Sequence, residues 1–211
     1  MFKPVILLGS GGHAKVLAAV LKKRASPVLG VTDPGRDVGN TVFDWPVLGD
    51  DSALLQYPPD TIELVNGIGS IPKDNGLRRQ LFAKFHDLGY QFKNVIDQRA
   101  LIADEVSLAE GVQVMSGAII QAGTQIACNA IINSGAIIEH DCVLGQHVHV
   151  APGAVLCGAV VIGDNVHVGA GAVVIQGVTI GSGCIIGAGC VVTRGLEPCQ
   201  TVYPPRSMTK I

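Results

Sequence analysis

A six-residue repeat in the second half of the chain limits its possible folds more than any other feature. Stepping by six, sixteen consecutive positions are aliphatic: Ile102, Leu108, Val114, Ile120, Ile126, Ile132, Ile138, Leu144, Val150, Leu156, Ile162, Val168, Val174, Ile180, Ile186 and Val192. A second series follows four residues after each, small except for its last member: Val106, Val112, Ala118, Thr124, Ala130, Ala136, Cys142, Val148, Ala154, Val160, Val166, Ala172, Val178, Cys184, Cys190 and Leu196. A period of six matches neither an α-helix nor a simple amphipathic strand. It predicts a chain that turns a corner after each short strand and points one bulky residue per side into a prism.

Glycine follows the bulky residue directly in four repeats, at Gly145, Gly163, Gly181 and Gly187. A corner there could need a positive φ or a close backbone approach, and glycine permits both. Because of these Leu-Gly and Ile-Gly pairs, the second half resembles the left-handed β-helix of hexapeptide-repeat acyltransferases. The resemblance implies three hexads per coil, and therefore a little over five coils, and association into a homotrimer.

Composition and charge exclude several classes of protein. The 15 Lys and Arg against 17 Asp and Glu leave no basic excess, which argues against nucleic acid as a partner. No apolar run approaches the ~18 residues of a membrane-spanning helix, and the first residues do not resemble a signal peptide. We therefore expect a cytoplasmic protein without membrane insertion. Six cysteines without a CxxC pair predict reduced thiols.

The first half alternates strand and helix patterns. Apolar runs predict strands at 4–8, 27–32 and 62–66, with one helix that follows the stretch 9–14 and runs to about Ala25 and another over 77–88. Such alternation is typical of a parallel, doubly wound α/β sheet. The first helix is expected to bury Val16, Val20 and Leu21. We therefore predict a small Rossmann-like parallel α/β domain over 1–98, followed by a left-handed parallel β-helix over 99–211.

The loop after the first strand approximates a dinucleotide fingerprint. Gly9 and Gly11, with Ala14 three residues later, follow the strand, and Asp33 comes some twenty residues on. Glycines let backbone N–H groups and a helix N-terminus approach phosphate, while the carboxylate accepts hydrogen bonds. The pattern alone is compatible with a nicotinamide cofactor, with the nucleotide of a sugar nucleotide, or with tight turns and no ligand. The domain is half the size of a full dinucleotide fold, which favours the sugar nucleotide.

The segment Glu139-His140-Asp141 is the best candidate for chemistry. His140 lies two places after the inward Ile138, so its side chain should project outwards. Together with Asn133, His149 and the N-terminal Gly-x-x-Gly-His loop, this segment resembles the NeuD/PglD-like group of sugar acetyltransferases. The resemblance covers essentially the whole chain.

The resemblance implies a catalytic role for His140 as the general base that takes a proton from the attacking amine or hydroxyl of a sugar. Imidazole suits this task because it accepts and returns a proton near neutral pH. Asp141 would hold the ring tautomer and raise its basicity. His149 would contact the thioester end of acetyl-CoA, and Asn133 would help to position this donor. No metal is expected.

Further binding residues follow from the same resemblance. Small residues on the coils would let the pantetheine arm of acetyl-CoA lie close to the backbone, namely Ala170 and Ala188. The first domain would hold the nucleotide sugar through Gly11, Gly12, His13 and Asp33. The chain departs from the family near its C-terminus, where Val202-Tyr-Pro-Pro205, followed by Arg206, stands in place of a Gly-x-Pro-Ala stretch before a basic residue.

The expected activity is N-acetylation of the amine of a nucleotide-linked amino sugar, such as a UDP-4-amino-4,6-dideoxy sugar made for bacterial surface glycans. One alternative is sugar O-acetylation of the sialic acid type. Another is a zinc-dependent carbonic anhydrase-like enzyme, because His149 and His167 are one coil apart and could form part of a metal site. A third is a non-catalytic trimerising scaffold for a nucleotide-binding module.

Overall fold

The chain folds into two compact units of different architecture. A computed structural model describes residues 3–72 and 76–204, and contacts between residues divide the chain into Met1–Ile96 and Asp97–Ile211. Pro205 and Arg206, which belong to the C-terminal stretch compared with the family above, lie outside the described residues. Within the described ranges, no helix is long and apolar enough to cross a membrane.

The first unit is an α/β sheet with the first strand at its centre. Its elements are β1 (Val5–Leu8), β2 (Val28–Thr32), β3 (Thr41–Val42), β4 (Trp45–Gly49), β5 (Glu63–Asn66), β6 (Gln91–Phe92) and β7 (Val95–Ile96), with helices α1 (Gly12–Lys23) and α2 (Leu77–Asp87) and a 3₁₀-helix (Asp51–Gln56). The sheet order is β3-β4-β2-β1-β5-β6. Strand β1 pairs in parallel with β2 and β5, and all four of its residues are buried. The predicted small parallel α/β domain is therefore confirmed.

Two details of this unit differ from the sequence expectation. Strands β3 and β4 form an antiparallel hairpin at the sheet edge that the apolar pattern does not indicate. In α1, Val16 is 46% exposed, whereas Leu17, Val20 and Leu21 are buried. The prediction is therefore correct for Val20 and Leu21 and wrong for Val16, and Leu17 was missed.

The second unit is a parallel β-helix with three faces of two-residue strands. The first face consists of β8 (Leu101–Ile102), β11 (Ile119–Ile120), β14 (Ile137–Ile138), β17 (Val155–Leu156), β20 (Val173–Val174) and β23 (Val191–Val192). The second consists of β9 (Ser107–Leu108), β12 (Gln125–Ile126), β15 (Val143–Leu144), β18 (Val161–Ile162) and β21 (Thr179–Ile180). The third contains β10 (Gln113–Val114), β13 (Ile131–Ile132), β16 (His149–Val150), β19 (His167–Val168), β22 (Ile185–Ile186) and β24 (Thr201–Val202).

The bulky row of the repeat forms the core of this unit. Its members are buried from Val114 through Val192, while Ile102 and Leu108 at the start are half-buried. Strands stack in register eighteen residues apart, so that Ile120 pairs with Ile138 and Ile138 with Leu156. Each aliphatic side chain thus lies against its counterparts in adjacent coils, where burial stabilises the fold. The architecture is consistent with the left-handed β-helix that the resemblance implied.

Close approach of the backbone explains the glycines that follow the bulky residues. A Cβ on Gly163 would lie 2.6 Å from the backbone nitrogen of Ser182, and one on Gly181 would lie 2.5 Å from that of Pro198. Neither glycine has a positive φ. The left-handed residue comes two positions later, as at Asn165 with φ 57°. Of the two explanations left open by the sequence, close approach is the correct one for these positions.

Candidate active site

The turn between β14 and β15, at the corner of the first and second faces, exposes a histidine–carboxylate pair. The side chains of His140 and Asp141 are 63% and 67% exposed, so His140 does project outwards. Nδ1 of His140 lies 2.8 Å from Oδ2 of Asp141. Asp141 adopts a left-handed conformation with φ 59°, which a short polar side chain tolerates better than most.

Contacts from adjacent coils fix the backbone of this corner. The hydroxyl of Thr124, a member of the small inward row, donates to the carbonyl oxygen of Glu139 at 3.0 Å. The backbone N–H of Ala159 donates to the carbonyl of His140 at 2.8 Å. Thr124 is completely buried. The backbone on either side of the imidazole is therefore held from the preceding coil through Glu139 and from the following coil through His140.

The arrangement of this pair suits proton transfer. When Nδ1–H donates to Asp141, the lone pair of Nε2 is available to accept a proton from another molecule. The adjacent carboxylate then stabilises the imidazolium that forms. Solvent exposure weakens this attraction but leaves the ring open to a substrate.

A second group of predicted residues lies at the corner between the third and first faces. Nδ2 of Asn133 is 3.2 Å from Nε2 of His149, so these two side chains meet. Ala170 and Ala188 are exposed at the same corner, one and two coils further than Pro152. The next residue at this corner is a glycine in four successive coils, and a Cβ added to any of these glycines would meet nothing within 4 Å: Gly135, Gly153, Gly171 and Gly189. This corner therefore offers a strip of surface without bulky side chains.

His149 also stacks on the histidine of the next coil. His149 and His167 are register partners, and their rings meet edge to face with centroids 4.9 Å apart. The spacing of one coil between the two histidines therefore brings their rings into contact. Among the described residues, no group of three His, Cys, Asp or Glu side chains is arranged to hold a metal ion.

The predicted site residues of this unit thus form two groups. The His140–Asp141 pair occupies the corner where the first face ends, and the Asn133–His149 pair occupies the corner where it begins. The first face separates the two groups within one chain. Its outward residues are all aliphatic: Leu101, Ile119, Ile137, Val155, Val173 and Val191.

The glycine loop of the first unit opens helix α1. Gly11 is the N-cap residue of this helix, and as a glycine it carries no side chain that could cap it. A Cβ on Gly11 or Gly12 would meet nothing within 4 Å. The backbone at the helix N-terminus is therefore open to an anion. His13 lies beside Gly69, because a Cβ added to Gly69 would be 3.4 Å from the Cβ of His13.

Asp33, the predicted ligand acceptor, holds this loop. Its Oδ2 accepts hydrogen bonds from the backbone N–H and hydroxyl of Ser10 at 3.0 and 2.5 Å, and its Oδ1 accepts from the N–H of Gly35 at 2.8 Å. Partial burial raises the pKa of the Asp33 carboxyl, but the hydrogen bonds from Ser10 and Gly35 and the charge of Arg36 together lower it below its ordinary value. Arg36 also donates to the Ser10 hydroxyl at 2.7 Å. Asp33 is therefore an ionised anchor of the loop.

Comparison with known proteins agrees with this architecture in both units. The family model "PglD N-terminal domain" matches residues 4–85, and "Bacterial transferase hexapeptide (six repeats)" matches 123–158 and 159–194. The chain is 39% identical to a histidine-to-alanine variant of GDP-perosamine N-acetyltransferase from Caulobacter crescentus, solved with CoA and GDP-perosamine. The match covers 95% of this chain and 93% of that one, with a TM-score of 0.86. This chain belongs to the NeuD/PglD-like family of sugar acetyltransferases.

Two further structures place this NeuD/PglD-like chain among similar proteins. The acetyltransferase domain of PglB from Neisseria gonorrhoeae, in complex with acetyl coenzyme A, is 30% identical over 95% of this chain and 96% of that one, with a TM-score of 0.87. WeeI from Acinetobacter baumannii is 26% identical over 96% and 97%, with a TM-score of 0.84. None of the curated proteins matches the chain.

Sequence reasoning missed several residues that shape the candidate sites of this family member. In the first unit, the buried guanidinium of Arg78 donates through Nη1 to the carbonyls of Asn66 and Ile68 at 2.9 and 2.8 Å, and burial lowers its pKa to about 9. Arg78 thereby fixes the loop after β5, which lies beside the glycine loop. Ser10 was also missed, although its place inside the glycine loop was a usable signal.

Proposed function

We propose that this chain transfers the acetyl group of acetyl-CoA to the amino group of a nucleotide-linked amino sugar, with His140 as general base. The observation that carries the proposal is the exposed His140–Asp141 pair, in a chain 39% identical over nearly its whole length to a GDP-perosamine N-acetyltransferase. The structures of two relatives with CoA or acetyl-CoA support this donor. The product would serve bacterial surface glycans.

The reaction needs one proton acceptor and no protein nucleophile. The neutral amine attacks the thioester carbonyl, a C–N bond forms, and Nε2 of His140 takes a proton from the nitrogen. The C–S bond then breaks, and the imidazolium returns the proton to the departing thiolate of CoA. Asp141, at 2.8 Å from Nδ1, stabilises the imidazolium between these two steps.

Each remaining predicted residue has a task in this reaction. The open glycine strip beside Ala170 and Ala188 would carry the pantetheine arm, and Asn133 and His149 would contact the thioester end. In the first unit, the helix N-terminus at Gly11, Gly12 and His13 would hold the diphosphate of the nucleotide. Asp33 shapes that loop through Ser10, and a bound nucleotide competes for its oxygens.

We further propose that the chain works as a homotrimer. The outward row of the first face is aliphatic in every coil, and at its two ends Leu101 and Val191 are 66% and 63% exposed. An apolar stripe of this length favours association. Packing along the first face would bring the base corner of one copy near the donor strip of another. Light scattering should give three times the mass of the chain, and Ile137→Asp should give a smaller species with lost acetylation.

A substrate panel tests the activity itself. Release of the CoA thiol is followed with acetyl-CoA and, in turn, GDP-perosamine, UDP- and dTDP-linked 4-amino sugars, and sialic acid. We expect turnover with at least one nucleotide-linked amino sugar and none with sialic acid. Turnover with sialic acid alone would establish O-acetylation instead. If thiol release with every acceptor equals the spontaneous hydrolysis of acetyl-CoA, the proposal is wrong.

A further inference from the structure

Gly158 lies one coil after His140, directly beside its imidazole. It belongs to the turn between β17 and β18, eighteen residues further along. A Cβ on Gly158 would lie 2.6 Å from Nε2 and 2.8 Å from Cε1 of His140, and the nearest three heavy atoms all belong to this ring. The imidazole therefore occupies the space that any side chain at position 158 would fill.

The backbone does not require glycine at this position. The φ of Gly158 lies outside the left-handed region. The same place in other coils is taken by Asp104, Ala122 and Gln176, none of which has a positive φ. The turn thus accepts ordinary L-residues, and the imidazole accounts for the missing side chain.

We propose that Gly158 is a positioning residue for the general base, an inference that rests on the proposed function. Because Gly158 has no side chain, the imidazole can keep the contact between Nδ1 and the Asp141 carboxylate. In the same orientation, Nε2 stays at the surface, where the acceptor amine must bind. An alanine methyl would push Nε2 away by about 0.8 Å, the difference between 2.6 Å and the 3.4 Å at which ordinary contact begins. The ring must then rotate and give up its alignment with Asp141.

Crystal structures of the wild type and of Gly158→Ala, both without substrates, test the placement independently of any activity. We expect the same coil backbone, a displaced imidazole and loss of the 2.8 Å contact between Nδ1 and Asp141. An unmoved ring that keeps this contact would overturn the proposal. Thermal unfolding of the same proteins checks that the fold persists.

A kinetic cycle tests the catalytic consequence. The kcat of wild type, Gly158→Ala, His140→Ala and the double variant is measured, with Asp104→Ala as a control at the equivalent turn position three coils before Gly158. We expect Gly158→Ala to lower kcat by about 10- to 100-fold when His140 is present, to change it less than about twofold when His140 is absent, and to leave both KM values nearly constant.

An equal loss in both backgrounds would mean that the methyl obstructs substrate, and this would overturn the proposal. An unchanged kcat with a displaced ring would overturn it as well. If the wild type is inactive with every acceptor, the proposed function is wrong. The crystallographic comparison still decides whether Gly158 positions the imidazole.

Discussion

Replacing Thr124 by valine tests the anchor beneath the His140 corner. Thr124 is completely buried, and its hydroxyl donates to the Glu139 carbonyl at 3.0 Å. Valine keeps the shape but leaves that carbonyl without this donor, at a cost of about 1–3 kcal/mol. Because the bond is only partly buried, we expect the lower part of that range, about 1–2 kcal/mol. For a chain of this size the melting temperature should fall by about 2–8 °C, measured at equal protein concentration.

Activity separates this anchor from simple core packing. Serine at position 124 keeps the hydroxyl but loses a methyl group, and it should cost a similar ~1 kcal/mol. If the hydrogen bond holds the corner, Thr124→Val lowers kcat by about tenfold through a small misplacement of His140, whereas Thr124→Ser retains it. Equal kcat values for the two variants, or a valine variant as stable and active as the wild type, would show that the Thr124 hydrogen bond does not hold the corner.

Three further changes have defined outcomes. Asp141→Asn should lower kcat by up to about fivefold with little change in KM, because solvent screening limits an exposed ion pair to about 0.2–1 kcal/mol; steady-state kinetics check it. Asp33→Asn should destabilise the protein at neutral pH. In denaturant titrations, the difference in unfolding free energy between wild type and variant should shrink as the pH falls through 3.8, the ordinary pKa of Asp, and vanish below the lowered pKa of the folded state. A difference that does not change with pH would contradict this. Gly163→Ala should cost about 1–3 kcal/mol in thermal unfolding, since its Cβ would lie 2.6 Å from the Ser182 nitrogen.

The β-helix could be predicted from sequence because its geometry repeats with the chain. Each short strand points one residue into the prism, so a period of six identifies the buried row from Val114 to Val192 without knowledge of tertiary contacts. The hairpin of β3 and β4 could not be predicted in this way. Its turn consists of Phe43 and Asp44, both with positive φ, whereas such turns usually carry Asn-Gly or a similar pair.

The candidate site was partly predictable for the same reason. The outward direction of His140 follows from counting two residues past Ile138, and the stacking of His149 on His167 follows from the eighteen-residue coil. The contact of the imidazole with Gly158 depends on the side-chain conformation of His140, which periodicity does not specify. The role of Arg78 could not be predicted because its side chain is buried against carbonyl groups of β5 and the following loop. The apolar pattern of α2 does not indicate these partners.

Thr124 shows that a usable signal can be overlooked. It is the one hydroxyl in the small inward row, where its neighbours are Ala, Val and Cys. A buried hydroxyl needs a hydrogen-bond partner, so its presence just one coil before Cys142 indicated an anchored corner next to His140. The partner itself, the Glu139 carbonyl, is evident only from the structure.

Whether His140 is the general base is tested by the initial rates of CoA release by the wild type and His140→Ala, with the best nucleotide-linked amino sugar of the substrate panel as acceptor and with folding verified for both. We predict a loss of at least ~10²-fold in kcat, the usual contribution of a general base. A folded His140→Ala variant that acetylates the sugar at the wild-type rate would show that His140 is not the general base.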